Sequence, residues 1–300
     1  MHPGAFVGCD WWCHDAIVMD RGTFVNSVDN SACGAYRSHV IDVDASPVAW
    51  REAGQGPVAV FLHGLGGGRT AWRPQLEVLS ELRRCVAWDA PGYGESTPVL
   101  DTTFDAYARA ALSLIDTVSP GEPVDLVGMS FGGMIAQYVT ALAPDRIRSL
   151  TLLCTSPKFG LDGTDPDEWR AARLAGLEQM GSPAAAAPLI LPSLVGPNGA
   201  HVLPEAIEAM GRVPLAGLLD SLSTIASHDS RGLLPSITTP TLVLVGELDD
   251  ETPVSYAQAI ADLLPNGRLE VVPGVGHVLN LEAEDAVNTA VARHWREVMP

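Results

Sequence analysis

Short, unbroken apolar runs constrain the fold of this chain more than any other feature of its sequence. Continuous apolar strands are buried on both faces, which is typical of a parallel sheet covered by helices. Helical patterns separate many of the runs, and the alternation predicts a doubly wound α/β fold with a mostly parallel sheet. The runs are Val58–Leu62, Cys85–Trp88, Val124–Val127, Leu150–Leu153, Leu242–Val245 and Leu269–Val272. The helical patterns are Thr103–Val118, Phe131–Ala143, Pro253–Leu264 and Leu281–Val298.

One stretch breaks this alternation and defines the predicted domains. Residues 156–234 hold no convincing strand and are rich in Ala, Leu and Pro. We therefore expect a helical cap or lid there, inserted between two late strands of a core formed by residues 38–155 and 235–300. Two strands joined by a tight turn at Ala45–Pro47 open that core. Residues 1–37 show no clear period and are interpreted as an irregular amino-terminal extension.

The charge and cysteine content exclude several classes of function. The formal net charge is −18, from 36 acidic and 18 basic residues, which argues against binding to nucleic acid or to an anionic membrane surface. High solubility explains this charge, and a cationic substrate is the alternative interpretation. No apolar run reaches the roughly 20 residues that cross a bilayer.

The five cysteines do not form the spacing pattern of a disulfide framework. The chain also does not open with a basic segment followed by an apolar one, so we expect a cytoplasmic protein. Cys9, Cys13 and His14 could bind a metal ion, but they lack a second ligand pair, and we expect no metal.

A serine between two glycines gives the strongest chemical signal. Gly128-Met129-Ser130-Phe131-Gly132 follows the predicted strand Val124–Val127 and opens a predicted helix. This context predicts a nucleophile elbow, in which a strained turn exposes the Ser130 hydroxyl above the sheet. The alternative is an ordinary strand-to-helix turn with a surface serine.

Serine needs a base that an acid holds in place, and after such an elbow the acid precedes the histidine along the chain. Asp249 lies just past the end of Leu242–Val245, and His277 follows the last predicted strand in a glycine-containing loop. Asp250 is the local competitor for the acid, and Glu247 and Glu251 are nearby alternatives. These acids could instead cap the next helix, and His277 could be a capping or surface histidine.

A tetrahedral intermediate also needs amide donors for its oxyanion. We expect them at Phe131, directly after the nucleophile, and at Leu65, in the loop His63-Gly64-Leu65-Gly66-Gly67-Gly68 that follows Val58–Leu62. The rival interpretation of this loop is a phosphate cradle, which lacks its characteristic Gly-Lys-Ser/Thr sequence here.

These motifs, in this order, resemble the α/β-hydrolase superfamily, and within it the small bacterial esterase and 3-oxoadipate enol-lactonase group. The resemblance covers residues 39–300 and implies the α/β-hydrolase fold. Serine at the elbow excludes the haloalkane dehalogenases and epoxide hydrolases, which carry aspartate there. Further matching segments are Asp89-Ala90-Pro91-Gly92-Tyr93-Gly94-Glu95-Ser96, Pro144-Asp145-Arg146-Ile147, Pro240-Thr241-Leu242-Val243-Leu244-Val245-Gly246 and Gly276-His277.

The sequence thus predicts a serine hydrolase that cleaves a small carboxylic ester or lactone with a Ser130–His277–Asp249 triad and no cofactor. Gly64 and, from the cap, Trp169 are expected to contact the substrate. Alternatives with the same triad are a carbon–carbon bond hydrolase, an acyltransferase and a perhydrolase. An alternative of another class is a non-hydrolytic ligand-binding protein. The sequence makes no prediction of the oligomeric state.

Overall fold

A computed structural model describes residues 19–20, 23–24, 37–41 and 48–298 of the chain. The predicted extension over residues 1–37 lies largely outside these residues, as do Cys9, Cys13, His14 and the turn Ala45–Pro47. Within the extension, Met19–Asp20 pairs antiparallel with Thr23–Phe24.

A mostly parallel sheet forms the centre of the molecule. Eight strands of the described residues are hydrogen-bonded in the order β8-β7-β6-β5-β3-β4-β2-β1, and pairs that involve β1 or β2 are antiparallel. The structure therefore confirms the predicted mostly parallel α/β architecture. The strands are β1 (Arg37–Ile41), β2 (Val48–Ala53), β3 (Val58–Leu62), β4 (Arg84–Trp88), β5 (Val124–Met129), β6 (Ile147–Leu153), β7 (Thr241–Gly246) and β8 (Gly267–Val272).

Helices cover both faces of the sheet, as a doubly wound fold requires. The helices are α1 (Arg73–Leu79), α2 (Phe104–Val118), α3 (Phe131–Leu142), α4 (Pro166–Met180), α5 (Pro183–Ile190), α6 (Leu203–Gly211), α7 (Leu215–Ile225), α8 (Val254–Leu263), α9 (Leu279–Glu282) and α10 (Glu284–Val298). Residues Val58, Val60 and Leu62 of β3 pack toward α2, α3 and α8. The alternate residues Ala59 and Phe61 pack toward α1 and α10. Within the described part of the chain, no helix combines the length and the hydropathy needed to span a bilayer.

The last strand departs from the prediction of two buried faces. β3, β5 and β7 are buried along their whole length, but β8 alternates between half-buried and exposed residues, and Val271 is 41% exposed. The cause is its place at the edge of the sheet, where β7 is its strand partner. The expectation that every apolar run is covered on both faces was wrong for this strand.

Helices α4–α7 lie between β6 and β7 along the chain, within the stretch that breaks the strand–helix alternation. Asp165 begins α4 by accepting the amides of Asp167 and Glu168 on its carboxylate, and Ser182 caps α5 in the same way. Pro183 occupies the first turn of α5, where its missing N–H costs nothing. Since β6 and β7 are parallel neighbours, this helical segment leaves and returns at adjacent strands.

Candidate active site

Ser130 lies in the tight turn between β5 and α3, where its backbone adopts φ 51° and ψ −118°. A positive φ is unfavourable for any residue with a Cβ, so the surroundings must hold it. The Ser130 amide donates to the carbonyl of Leu153 at 2.9 Å, and the Ser130 carbonyl accepts from Met134. A Cβ at Gly128 would lie 2.5 Å from the carbonyl oxygen of Gly132. The elbow therefore depends on the glycines that the sequence places around the serine.

Replacing Gly132 with alanine should destabilise the protein strongly. The added Cβ would lie 2.1 Å from the carbonyl oxygen of Leu62, which belongs to the rigid backbone of β3. We expect the free energy of unfolding to fall by about 3 kcal/mol or more, measured by denaturant titration. Gly176→Ala in α4 is the matched control, because its Cβ would meet only Met180 Cε at 3.8 Å. An equal, small effect of the two substitutions would contradict this account of the elbow.

The structure brings Ser130, His277 and Asp249 into one hydrogen-bonded chain. His277 Nε2 lies 3.1 Å from Ser130 Oγ, and His277 Nδ1 lies 3.0 and 2.9 Å from the two Asp249 carboxylate oxygens. In the neutral imidazole with a proton on Nδ1, that proton is donated to Asp249 and Nε2 accepts the Ser130 hydroxyl. Asp250, the predicted competitor, is exposed, and Asp249 is the acid in contact with His277.

The Asp249 carboxylate is held from several sides. Its Oδ1 accepts the amides of Glu251 and Thr252 at 3.0 and 2.8 Å, and its Oδ2 accepts the Thr252 hydroxyl at 2.8 Å. Burial opposes ionisation, but His277 and these donors lower the pKa of Asp249 below its ordinary value. Asp249 therefore remains charged at neutral pH. The role of Thr252 was missed by sequence reasoning, because a threonine before Pro253 carries no distinctive signal.

The electrostatics of His277 favour its protonated form. Burial opposes that charge, but the Asp249 carboxylate outweighs it and raises the pKa of His277 above 6.5, with smaller contributions from Glu251 and Glu282. The imidazole is therefore neutral, and able to take a proton, only above a pH somewhat higher than usual for histidine. As the pH falls through that pKa, protonation removes the Nε2 lone pair that can accept the Ser130 hydroxyl.

Cys154 completes a group of possible metal ligands in the described residues. One ligand atom each from Cys154, Asp249 and His277 lies within 4.8 Å of the others, and all three residues are buried. Burial raises the pKa of the Cys154 thiol well above its ordinary value, which disfavours the thiolate that metals prefer. Asp249 and His277 are already engaged with each other, so this arrangement fits a hydrogen-bonded triad better than a metal centre.

The two predicted amide donors, Leu65 and Phe131, both belong to segments next to Ser130. The Phe131 amide is the first of α3, so it has no acceptor within the helix. The loop that carries Leu65 is fixed by His63, whose Nδ1 donates to the Gly64 carbonyl and whose Nε2 accepts the Ala90 amide. Burial lowers the pKa of His63, which keeps the ring in this neutral form. A Cβ at Gly64 would lie 3.2 Å from Ser130 Cβ, so a side chain at this position would push the loop or Ser130 away by a few tenths of an ångström.

A cavity of about 520 Å³ opens beside Ser130 and His277. It is lined by the predicted residues Gly64, Leu65 and Trp169, and by many apolar side chains of α4 to α7. Trp169 packs against Phe159 with ring centroids 4.7 Å apart, and the Arg173 guanidinium lies 5.5 Å from its ring centroid. Further apolar lining residues are Met134, Leu177, Ile190, Leu191, Leu194, Met210, Leu218, Leu222 and Ile225.

Ion pairs balance several of the charges at the cavity wall. Arg173 pairs with Glu251 at 3.3 Å, and Glu205 pairs with Arg73 at 2.9 Å. The cavity wall also carries the charged residues Lys158, Asp162 and Asp250. Because most of the wall is apolar, the cavity suits an apolar group beside the serine.

Comparisons with known proteins agree with this geometry. Residues 59–290 match the model of the Alpha/beta hydrolase family. A pimeloyl-[acyl-carrier protein] methyl ester esterase from Chromobacterium violaceum is 33% identical over 260 residues, which cover 80% of this chain and 95% of that protein. The polyketide synthase ThaQ from Burkholderia thailandensis is 30% identical over 257 residues, which cover 82% of this chain and 12% of that much longer protein.

Solved structures show the same fold. A thermophilic esterase from Thermogutta terrifontis superposes with a TM-score of 0.79 at 27% identity, covering 88% of this chain and 100% of that one. The enol-lactonase from Burkholderia xenovorans superposes with a TM-score of 0.78 at 23% identity, covering 86% of this chain and 99% of that one. The family match, the shared fold and the elbow at Ser130 lead to one conclusion: the chain belongs to the alpha/beta hydrolase family.

Proposed function

We propose that this protein is a serine hydrolase that cleaves a small carboxylic ester or lactone through an acyl-enzyme intermediate. The observation that carries the proposal is the hydrogen-bonded chain from Ser130 through His277 to Asp249 at the wall of an apolar cavity. Similarity to named esterases and to an enol-lactonase supports carboxylic ester hydrolysis. All groups needed for acyl transfer are side chains and amides of this chain.

In the first half of the reaction, Ser130 Oγ attacks the ester carbonyl carbon while its proton passes to His277 Nε2. The negative charge that develops on the carbonyl oxygen is stabilised by the amides of Leu65 and Phe131, which we assign as the oxyanion hole. The carbon–oxygen bond to the leaving group then breaks, and His277 returns the proton to the departing alcohol. The acyl group remains on Ser130.

In the second half, water attacks the acyl carbon and gives its proton to His277 Nε2. The tetrahedral intermediate collapses, the acyl–Ser130 bond breaks, and His277 protonates Ser130 Oγ. The product is a free carboxylic acid. Asp249 stays ionised throughout, keeps the Nδ1 proton in place and stabilises the imidazolium that forms twice in the cycle.

We assign residues 156–234 as a cap that selects the acyl or alcohol group of the substrate. Helices α4 to α7 supply much of the apolar cavity wall, whereas the reacting groups come from the ends of sheet strands. Because most of the wall is apolar, an ester with an apolar group is the substrate class that it fits. Hydrolysis of p-nitrophenyl esters with acyl chains of increasing length tests this function directly, with Ser130→Ala in parallel.

Trp169→Ala should move the acyl-chain preference toward longer esters. The indole packs between Phe159 and Arg173 at the cavity wall, and its removal would enlarge the cavity. We expect the ratio of kcat/KM for long over short p-nitrophenyl esters to rise about ten-fold, the scale expected for a few methylenes in a pocket. Leu189→Ala is the control, because Leu189 belongs to α5 but is 71% exposed. An unchanged chain-length profile would show that residues other than Trp169 determine the acyl-chain preference.

A further inference from the structure

Glu282, the last residue of α9, is not part of the triad, yet its carboxylate contacts both sides of the loop that carries the base. Its Oε1 accepts the amide of Val278 at 3.1 Å, directly after His277. Its Oε2 accepts the amide of Gly276 at 3.3 Å, directly before His277. One side chain thus fixes the backbone on either side of the histidine.

The same carboxylate also reaches the helical segment that covers the cavity. Oε2 accepts the amide of Gly196 at 2.7 Å, the shortest of its three contacts. Two residues earlier in that segment, the Leu194 carbonyl accepts the His277 amide at 2.7 Å, and the Leu194 side chain lines the cavity. The backbone of His277 is therefore bonded directly to a segment that the substrate would touch.

Glycines allow the loop that carries His277 to lie close to segment 194–199. A Cβ at Gly276 would lie 2.6 Å from the Leu194 carbonyl oxygen, and a Cβ at Gly199 would lie 2.5 Å from Glu282 Oε2. The contact at Gly276 is with rigid backbone and is far shorter than a Cβ tolerates, so the two loops approach each other only with glycine there, whereas a Cβ at Gly199 would displace the Glu282 carboxylate. The close packing leaves the carboxylate of Glu282 as the acceptor that joins them.

From these contacts we infer that Glu282 is a positioning residue, which holds His277 in line with Ser130 and couples the position of segment 194–199 to that of the base. The inference rests on the proposed function, because His277 acts as the base only there. Besides Glu282, the titratable groups near His277 in the described residues are Asp249, Glu251 and Cys154, and the hydroxyls of Ser130 and Thr252 contact its ring nitrogens. Glu282 is the carboxylate among them that binds the backbone on both sides of the ring.

Glu282→Ala should lower kcat by about 10- to 100-fold with a smaller change in KM, because a displaced base mainly affects the chemical step. Glu282→Gln keeps one acceptor oxygen but loses the negative charge. Removing that charge lowers the pKa of His277, so the acidic limb of the kcat/KM profile should move to lower pH. Glu282→Asp keeps the charge, and its acidic limb should stay close to that of the wild type.

The test combines steady-state kinetics with p-nitrophenyl butyrate from pH 5 to 9 and NMR titration of the His277 Hε1 signal, assigned by its loss in His277→Asn. Glu284→Gln is the matched control, since Glu284 is exposed at the start of α10 and undergoes the same charge change. The inference predicts that only the substitution at Glu282 shifts the His277 titration. Unchanged kcat in Glu282→Ala, or equal titration shifts in both glutamine variants, would overturn it.

The two proposals fail in different ways. If wild-type ester hydrolysis does not depend on Ser130, the proposed function fails. The NMR titration needs no turnover, so it still decides whether Glu282 acts on His277. If hydrolysis depends on Ser130 but the Glu282 variants behave like the control, the hydrolase stands and the positioning role is refuted.

Discussion

Ser130→Ala is expected to reduce kcat for p-nitrophenyl butyrate by about 10⁴- to 10⁶-fold, the scale seen when a triad nucleophile is removed. Without Oγ there is no atom to form the acyl-enzyme, and the neighbouring amides can only assist direct attack by water. The loss should appear in kcat with little change in KM. Substrate binding uses the cavity wall, which this substitution leaves in place.

Ser227→Ala controls for the removal of a hydroxyl elsewhere, because Ser227 is exposed and near the end of α7. We expect this variant to keep wild-type rates, and both variants to keep the thermal midpoint within a few degrees. A Ser130→Ala protein that still hydrolyses the ester at the wild-type rate would refute the proposed mechanism.

Asp249→Asn should lower kcat by about 10⁴-fold, the loss associated with the wrong histidine tautomer in a serine triad. The two backbone amides that donate to Oδ1 require the carboxamide oxygen at that position, so the NH₂ group would take the place of Oδ2, next to His277 and the Thr252 hydroxyl. The amide would therefore turn its NH₂ toward His277 Nδ1 and favour the tautomer that cannot accept the Ser130 proton. The fold should survive, because the side chain keeps its size.

Asp249→Asn should also shift the pH dependence of kcat/KM in a defined direction. Asp249 raises the pKa of His277 above its ordinary value of 6.5 in the wild type. We therefore expect kcat/KM to fall as the pH drops through this raised pKa. Asp249→Asn removes the negative charge, and the residual activity should extend to lower pH. Asp250→Asn is the matched control, since Asp250 is adjacent and exposed. Equal losses in the two variants would show that Asp249 is not the acid of the triad.

Sequence patterning located the central strands well, but it predicted strands that are too short where they contain buried polar residues. The apolar run Val58–Leu62 coincides with β3. β6 begins three residues before the predicted run, at Ile147, because polar residues at its start are buried against a partner far away in the chain. Asp125 of β5 accepts hydrogen bonds from Ser149 at 2.7 Å and Arg148 at 3.0 Å. Such pairing depends on strand order, which a local hydrophobic pattern does not contain.

The helix α5 shows a second limit of local patterning. Local patterning predicts that prolines separate the helical pieces of this region, yet Pro183–Ile190 is a helix that contains Pro188. Pro183 is suited to the first turn, and the alanines that follow it favour helix strongly enough to continue. Pro188 lies inside α5 and removes the bond that its N–H would donate to the Ala184 carbonyl, yet the helix continues to Ile190.

The same distinction between local sequence patterns and long-range contacts applies to the residues of the candidate site. Ser130, Asp249 and His277 could be named from the sequence because each follows the end of a parallel strand, and such ends meet at one edge of a sheet. Thr252 and Glu282 could not, because their contacts arise where loops cross in space. The catalytic roles of the triad, of Leu65 and Phe131, and of the cap remain predictions that the experiments above address.

The neighbouring positions of β6 and β7 bear on how this protein could change over evolution. The Leu150 amide donates to the Pro240 carbonyl at 3.0 Å, so the chain returns from its helical excursion beside the strand that it left. The sheet fixes both ends of the helical segment between β6 and β7. Each doubling of the length of a closed loop costs only about 0.6 kcal/mol of chain entropy. Segments of different length and shape can therefore replace one another between Leu153 and Thr241, as long as they keep the contacts that Leu194 and Gly196 make with His277 and Glu282. Under the proposed function, recombination at these two positions would change the cavity wall while the sheet keeps the strand ends before Ser130, Asp249 and His277 in place.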